Sequence, residues 1–240
     1  MNWVATKRNM VRSASTDATR ALSRVALEAV SPRGLLDSVE PLNARLILLA
    51  AVAAFARHGY HATTTREIAA ALELSPAAIY SHYPTKADLL FEVSLRGNDD
   101  VLQLLREAVR STDSPVERIA SIVRVSVRWH AEEHIFANAI NTNFRALDRD
   151  HLGPIIKIRK KVTELVLGEI QRGVKTGDFR VADVKGATIA LLRMVDVSPW
   201  YSEQGSMSPQ RLADVYVDLI LNMLCAARPA AQSSGEEHAC

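Results

Sequence analysis

A chain of 240 residues with 48% apolar and 23% charged residues has ordinary globular composition and is long enough to bury a substantial core in one or two domains. A net charge of +2 and a pI near 8.6 exclude a protein that grips its partners by bulk charge, so nucleic-acid binding would have to be read from a motif. Two cysteines without a CxxC pair, no apolar run of membrane-spanning length and no apolar signal core exclude a disulfide scaffold and predict a cytoplasmic protein without membrane contact.

Residues 1–41 form an N-terminal extension, expected to be partly flexible, with Lys7, Arg8, Arg12, Arg20, Arg24 and Arg33 among small residues. One helical stretch from Thr16 to Val30 is expected, and Ser31-Pro32-Arg33-Gly34 marks a break. The segment reads either as a solvated tail or as a basic arm touching phosphates. From Asn43 to His58, Leu48, Ala51 and Phe55 recur at helical spacing and Gly59 stops the helix. Thr64 caps the next helix with Glu67 at capping-box distance, and the stripe of Ile68, Ala69 and Leu72 lasts about two turns before Glu73-Leu74 interrupts it. Ser75-Pro76 starts a third helix, with serine as cap and proline where its missing amide proton costs nothing. In this helix Ile79 and Tyr83 face inward. Ala77, Ala78, Tyr80, Ser81 and His82 lie on the other side, small enough for close backbone approach and able to hydrogen-bond bases or phosphates. Pro84 ends the helix, Thr85 caps the next, and Lys86 stands where a phosphate could meet an ammonium and a helix N-terminus together.

The helix opening near Thr85 runs through Leu89, Leu90, Val93 and Val101 to Leu105. Ser114-Pro115 with Glu117 starts another, leading through Ile119, Ile122, Val123 and Val127 to Trp129. Further helices are expected at 135–147, at 155–176 with Gly177 as stop, at 183–197 and at 208–227, with a flexible tail over 228–240. No strand pattern is present. The predicted fold is all-α, an N-terminal three-helix helix-turn-helix module over residues 42–102 and a C-terminal helical bundle over 103–227. The last two long helices are unusually apolar, and Ile189, Leu192, Val195, Val215, Leu219 and Met223 are expected to bury against a second copy.

Ile47-Leu48, Ala51, Phe55, Gly59-Tyr60, Thr63-Thr64, Ile68-Ala69, Ser75, Ile79-Tyr80, Tyr83 and Lys86 together resemble the pattern of TetR-family transcriptional regulators. The resemblance is dense over residues 42–102 and covers the rest only by helix layout. Two departures are Tyr83, where phenylalanine is commoner, and Glu73-Leu74, where a glycine is frequent; only local backbone adjustment is expected there. The resemblance implies a homodimeric repressor whose Thr64, Thr65, Arg66, Ser75, Ala77, Ala78, Tyr80, Ser81, His82 and Lys86 meet a double-stranded DNA operator. It also implies a small-molecule effector in the larger bundle, for which Trp129, His130, Phe136, Phe144, Arg145, Arg193, Met194, Trp200 and Tyr201 are candidate contacts. The Trp200-Tyr201 pair followed by Gly205 and Ser208-Pro209 resembles a subset of these regulators that senses lipid-derived or acyl-CoA ligands. No cofactor is expected.

Two other classes are carried forward. His130-Ala131-Glu132-Glu133-His134 satisfies H-x-x-E-H, in which two histidines one helical turn apart hold zinc and a glutamate activates water, so a zinc-dependent hydrolase is one alternative. The pattern lacks a third ligand and is short enough to arise by chance in a charged helix. A DNA-binding protein without ligand response is the other.

Overall fold

The computed structural model describes residues 29–201 and 207–225. The basic residues Lys7 to Arg24, most of the stretch from Thr16 to Val30, Gly205 and the tail from 228 lie outside these. Among the described residues the chain is all-helical. The helices are α1 (Leu42–His58), α2 (Thr65–Ala71), α3 (Pro76–Tyr80), α4 (Lys86–Arg110), α5 (Pro115–Glu132), α6 (His134–Asn143), α7 (Arg149–Thr176), α8 (Val184–Met194) and α9 (Pro209–Met223), with a short 3-10 turn at Phe144–Ala146.

The expected caps form. The Thr64 hydroxyl accepts from Glu67 N at 3.1 Å, Ser75 from Ala78 N at 3.3 Å and Ser208 from Arg211 N at 3.3 Å. Thr85 and Asp88 close a reciprocal box, with Asp88 N donating to Thr85 Oγ1 at 3.1 Å and Thr85 N to Asp88 Oδ2 at 2.8 Å. Helix α7 starts at Arg149, earlier than residue 155, although Pro154 lies inside it. Asp148 supplies the start, since its Oδ1 accepts from His151 N at 3.0 Å. Asp150, whose carbonyl loses its partner to Pro154, is exposed, where water can serve it.

By internal contacts the chain divides into two compact units, each drawing on several segments. The first draws on residues up to Gln103 with Trp129–Lys161 and Val197 onward; the second on Leu104–Arg128, Val162–Asp196 and Met207 onward. Helices α4, α5 and α7 contribute to both. In the first unit Ile47, Leu48, Phe55, Ile68, Ile79, Leu89, Leu90, Trp129 and Phe136 are almost wholly buried. In the second, Leu105, Ile119, Ile122, Val166, Ile170, Leu191 and Ile220 form the core, and a nearly enclosed Arg118–Glu169 pair at 3.3 Å crosses between α5 and α7.

In the first unit α4 and α6 approach at Gly97, where an added Cβ would lie 2.7 Å from both Phe136 Cε1 and Ile140 Cδ1. Gly97→Ala is therefore expected to cost about 1–3 kcal/mol by overpacking, read as a lower urea midpoint; an unchanged midpoint would mean that α4 and α6 separate freely.

The described end of the extension is a packed strap. Val30, Leu36 and Val39 are buried, Arg33 pairs with Glu132 at 3.3 Å, Arg45 with Asp37 at 3.1 Å, and Arg96 Nη1 donates to Ser38 Oγ at 3.0 Å.

Candidate nucleic-acid interface

Helices α2 and α3 are joined by Leu72–Leu74, and Glu73 takes φ 55°, the left-handed conformation that a glycine would adopt without strain. The expected backbone adjustment is confined to this residue. Beyond it, Ile79 is fully buried while Ser75, Ala77, Tyr80 and Ser81 are exposed and Ala78 and His82 half-buried. The polar side of α3 thus faces outward. Thr64 and Arg66 are exposed on the adjoining start of α2, with Thr65 half-buried.

The outward side chains are held in place. Tyr80, 49% exposed, has its hydroxyl 2.9 Å from Thr65 Oγ1, tying the start of α2 to the end of α3. Ser81 Oγ donates to Ala78 O at 2.8 Å. Tyr83 anchors the exit of α3, its hydroxyl donating to Ala44 O at 3.4 Å, and burial pushes that phenol up to about 12. The tyrosine in place of phenylalanine therefore keeps the aromatic anchor and gains a partner for its added oxygen.

Lys86, expected to present its ammonium to a phosphate, instead spends two of three N–H donors inside the chain, on Tyr60 O at 2.6 Å and Thr63 O at 2.7 Å. The same ammonium sits 4.2 Å from the centre of the Tyr60 ring, and burial lowers its pKa. The turn leaving α1 is short of backbone partners and so recruits the nearest cation. Around it, His61, Thr64, Thr65, Tyr80, Pro84 and Thr85 line a shallow concavity at the N-terminal ends of α2 and α4, where the helix dipoles favour an anion.

The candidate effector contacts divide. Trp129 and Phe136 are sealed in the core of the first unit, and Trp129 Nε1 donates to Asp100 Oδ2 at 2.8 Å. His130 is buried edge-on to Trp129, Phe144 is half-buried with the Arg159 guanidinium 4.0 Å over its ring, and Tyr201 packs 5.6 Å from the His134 ring. Arg145 and Trp200 face solvent. Trp129 and Phe136 therefore do not share one solvent-accessible surface with Arg145 and Trp200. In the second unit Arg193 is exposed and Met194 half-buried.

Ile189 and Leu219 are 60% and 48% exposed on α8 and α9, with Leu192, Val215 and Met223 half-buried beside them. Val195 is a correction. At the end of α8 it is 3% exposed within a single chain and belongs to the core.

The zinc reading loses its geometry. Glu133 breaks the helix, with His130 in α5 and His134 opening α6, so the two histidines do not stand one turn apart on one helix. Glu133 is fully buried and accepts the Arg33 backbone N–H at 2.5 Å. Among the described residues no group of three or more histidine, cysteine, aspartate or glutamate side chains is placed to hold a metal.

Sequence reasoning did not find Glu133 as a buried acceptor, nor Asn143, whose Oδ1 accepts from Tyr60 N at 2.8 Å, nor His151, whose ring lies 3.2 Å from Asp88 and 3.0 Å from Asp148. Only the His151 contact left a trace, an aspartate three residues before it at a helix start.

Residues 47–93 match the family model for the bacterial regulatory proteins of the tetR family, and residues 112–224 a tetracyclin repressor-like C-terminal domain. An HTH-type transcriptional repressor, KstR2 of Mycobacterium tuberculosis, is 28% identical over 207 residues, covering 83% of this chain and 96% of that one. The crystal structure of a bacterial regulatory protein of the tetR family from Rhodococcus RHA1 is 37% identical, with a TM-score of 0.73 over 78% of this chain and 99% of that one. AibR, solved in complex with isovaleryl coenzyme A and operator DNA, shares the fold at 23% identity and a TM-score of 0.66, over 74% of this chain and 97% of that one.

Proposed function

Because the chain belongs to the TetR family of bacterial regulatory proteins, we propose that it is a ligand-responsive, sequence-specific repressor that leaves its operator when a small lipophilic or acyl-CoA-type effector binds. The observation that carries the DNA-binding reading is the outward polar face of α3, with Ile79 fully buried behind it. The relatives add that KstR2 is a transcriptional repressor and that AibR holds an acyl coenzyme A together with operator DNA.

In this reading two copies pair through the exposed apolar side chains of α8 and α9, Ile189 and Leu219 first among them. Pairing lets two α3 helices meet successive major-groove segments about 34 to 36 Å apart, and hence a near-palindromic operator. Ala77 and Ala78 permit close approach, and Tyr80, Ser81 and His82 read or brace. Thr64, Thr65, Arg66 and Ser75 meet phosphates, and Lys86 holds the turn behind them. The protein works in the cytoplasm, where operator and effector meet.

Selection of duplexes from a random pool by the full-length chain, followed by titration, tests the reading. A selected operator should bind far more tightly than random duplex, and Tyr80→Ala or His82→Ala should weaken it about 5- to 150-fold, the 1–3 kcal/mol that one base-edge contact contributes. No preference for any duplex would refute DNA recognition. Isovaleryl coenzyme A and longer acyl-CoAs should then lower operator affinity about 5- to 150-fold, the usual range of a 1–3 kcal/mol coupling. Equal affinities with every acyl-CoA and lipophilic acid tried would favour the unresponsive DNA-binding protein instead.

A further inference from the structure

Helix α6 packs against α1 within the first unit, and a single side chain locks the end of one to the exit of the other. Asn143, the last residue of α6, is 9% exposed and its amide is fully used. Its Oδ1 accepts the Tyr60 N–H at 2.8 Å, while Nδ2 donates to Ala139 O at 2.8 Å and Thr142 Oγ1 at 2.9 Å and reaches Phe55 O at 3.4 Å. The orientation of the amide follows, since the atom facing an N–H must be the oxygen. The peptide it captures lies just after Gly59, at φ 77°, where α1 stops and its last carbonyls and the following amides lack helical partners.

The same turn supplies both carbonyls that hold Lys86. Lys86 is the first residue of α4, immediately after the segment that presents α3. Hydrogen bonds from Tyr60 N to Asn143 and from Lys86 Nζ to Tyr60 O thus connect α6, through the turn, to the first residue of α4 at the flank of the DNA-facing surface. Helix α6 is itself braced from the other side, because Arg159 on α7 donates to Asn141 Oδ1 at 2.6 Å.

We propose that Asn143 is a positioning residue for operator recognition: without touching DNA it sets, through the Tyr60 turn and Lys86, the angle at which α3 is presented. This rests on the DNA-binding reading above. A residue that orients α3 affects specific contacts, which demand register, more than phosphate contacts, which tolerate displacement.

The test uses the full-length chain and the operator selected by the unaltered protein. Asn143→Asp keeps an acceptor for Tyr60 N–H but turns a carboxylate onto the Ala139 and Phe55 carbonyls; Asn143→Ala removes both functions. Each should weaken operator binding at least tenfold per active molecule, with active concentration fixed by stoichiometric titration. Affinity for random duplex and the salt slope should stay unchanged, because no phosphate contact is lost. Lys86→Met, which cuts the next link at a half-buried site, keeps the test open should the Asn143 variants fold poorly. It should weaken operator binding at least tenfold, by more than whatever the removed charge costs on random duplex, and the double variant should lose less than the two single losses multiplied. Variants that melt earlier yet bind the operator normally per active molecule would overturn the proposal, as would equal losses on operator and random duplex. If the unaltered protein selects no operator, the DNA-binding reading fails first and the outcome is distinct.

Discussion

Alanine in place of Trp129 is expected to lower the free energy of unfolding by about 3–5 kcal/mol, the range for removing a fully buried aromatic. The indole is 1% exposed and its N–H is committed to Asp100, so truncation opens a cavity and also strips the carboxylate of a donor. Trp129→Phe separates the two effects: it refills most of the volume but leaves Asp100 without that donor, and should cost about 1–3 kcal/mol. Urea denaturation at neutral pH measures both. Against a total stability of about 5–15 kcal/mol for a typical domain, the alanine variant comes close to unfolding. A variant as stable as the unaltered chain, but with weakened effector binding, would make Trp129 an effector contact rather than a core residue.

Glu133→Gln is expected to stabilise the protein above neutral pH and to leave it nearly unchanged in mild acid. Burial pushes this carboxyl from an ordinary value of 4.5 up to about 7, and the nearby Asp100 charge adds to the rise. Hydrogen bonds from Arg33 N and Ser31 and the Arg33 charge oppose it without cancelling it. One oxygen, Oε2, is buried with no hydrogen-bond partner, which is the local reason why the ionised form is disfavoured. The sign follows from proton uptake. Between pH 4.5 and about 7 the folded chain holds a proton that the unfolded chain has released, so stability rises as pH falls through that window. The contribution is fully present below 4.5 and is lost as pH rises through about 7.

A displacement of that size corresponds to about 3 kcal/mol, an upper figure because the strap around Arg33 can relax. Glutamine cannot ionise and keeps an acceptor for the Arg33 N–H. Urea midpoints at pH 5.5 and 8.5 for both chains give the comparison, and a pH dependence that is the same in both would show that Glu133 does not stay sealed.

Most of the helix-turn-helix half was legible because its signals are local. Thr64, Ser75-Pro76, Thr85 and Gly59 act within one turn of their own helices, and each cap or stop formed where its residue type placed it. Ile79 facing in and Tyr80 facing out follow from helical periodicity alone. The buried functions were not legible. Asn143 in a sequence is one more polar residue near a helix end, and nothing within several residues of it names Tyr60 as its partner. Glu133 looked like a zinc-site general base because its neighbours fit a pattern; that pattern assumes one continuous helix, and the chain breaks there to let the carboxylate take an amide from a strap one hundred residues away.

The sequence by itself determined where the first three helices start and stop, which side of α3 is polar, and which family pattern residues 42–102 follow, since these depend on caps, proline and 3.6-residue spacing. Only the tertiary structure decided that α6 belongs with the unit that holds the helix-turn-helix, that Lys86 turns its ammonium inward, that Trp129 and Val195 are core, and that one carboxyl is sealed away from water. Those outcomes depend on which apolar stripe meets which and on where the backbone leaves unpaired carbonyls and amides. No residue carries that information until distant segments are brought together.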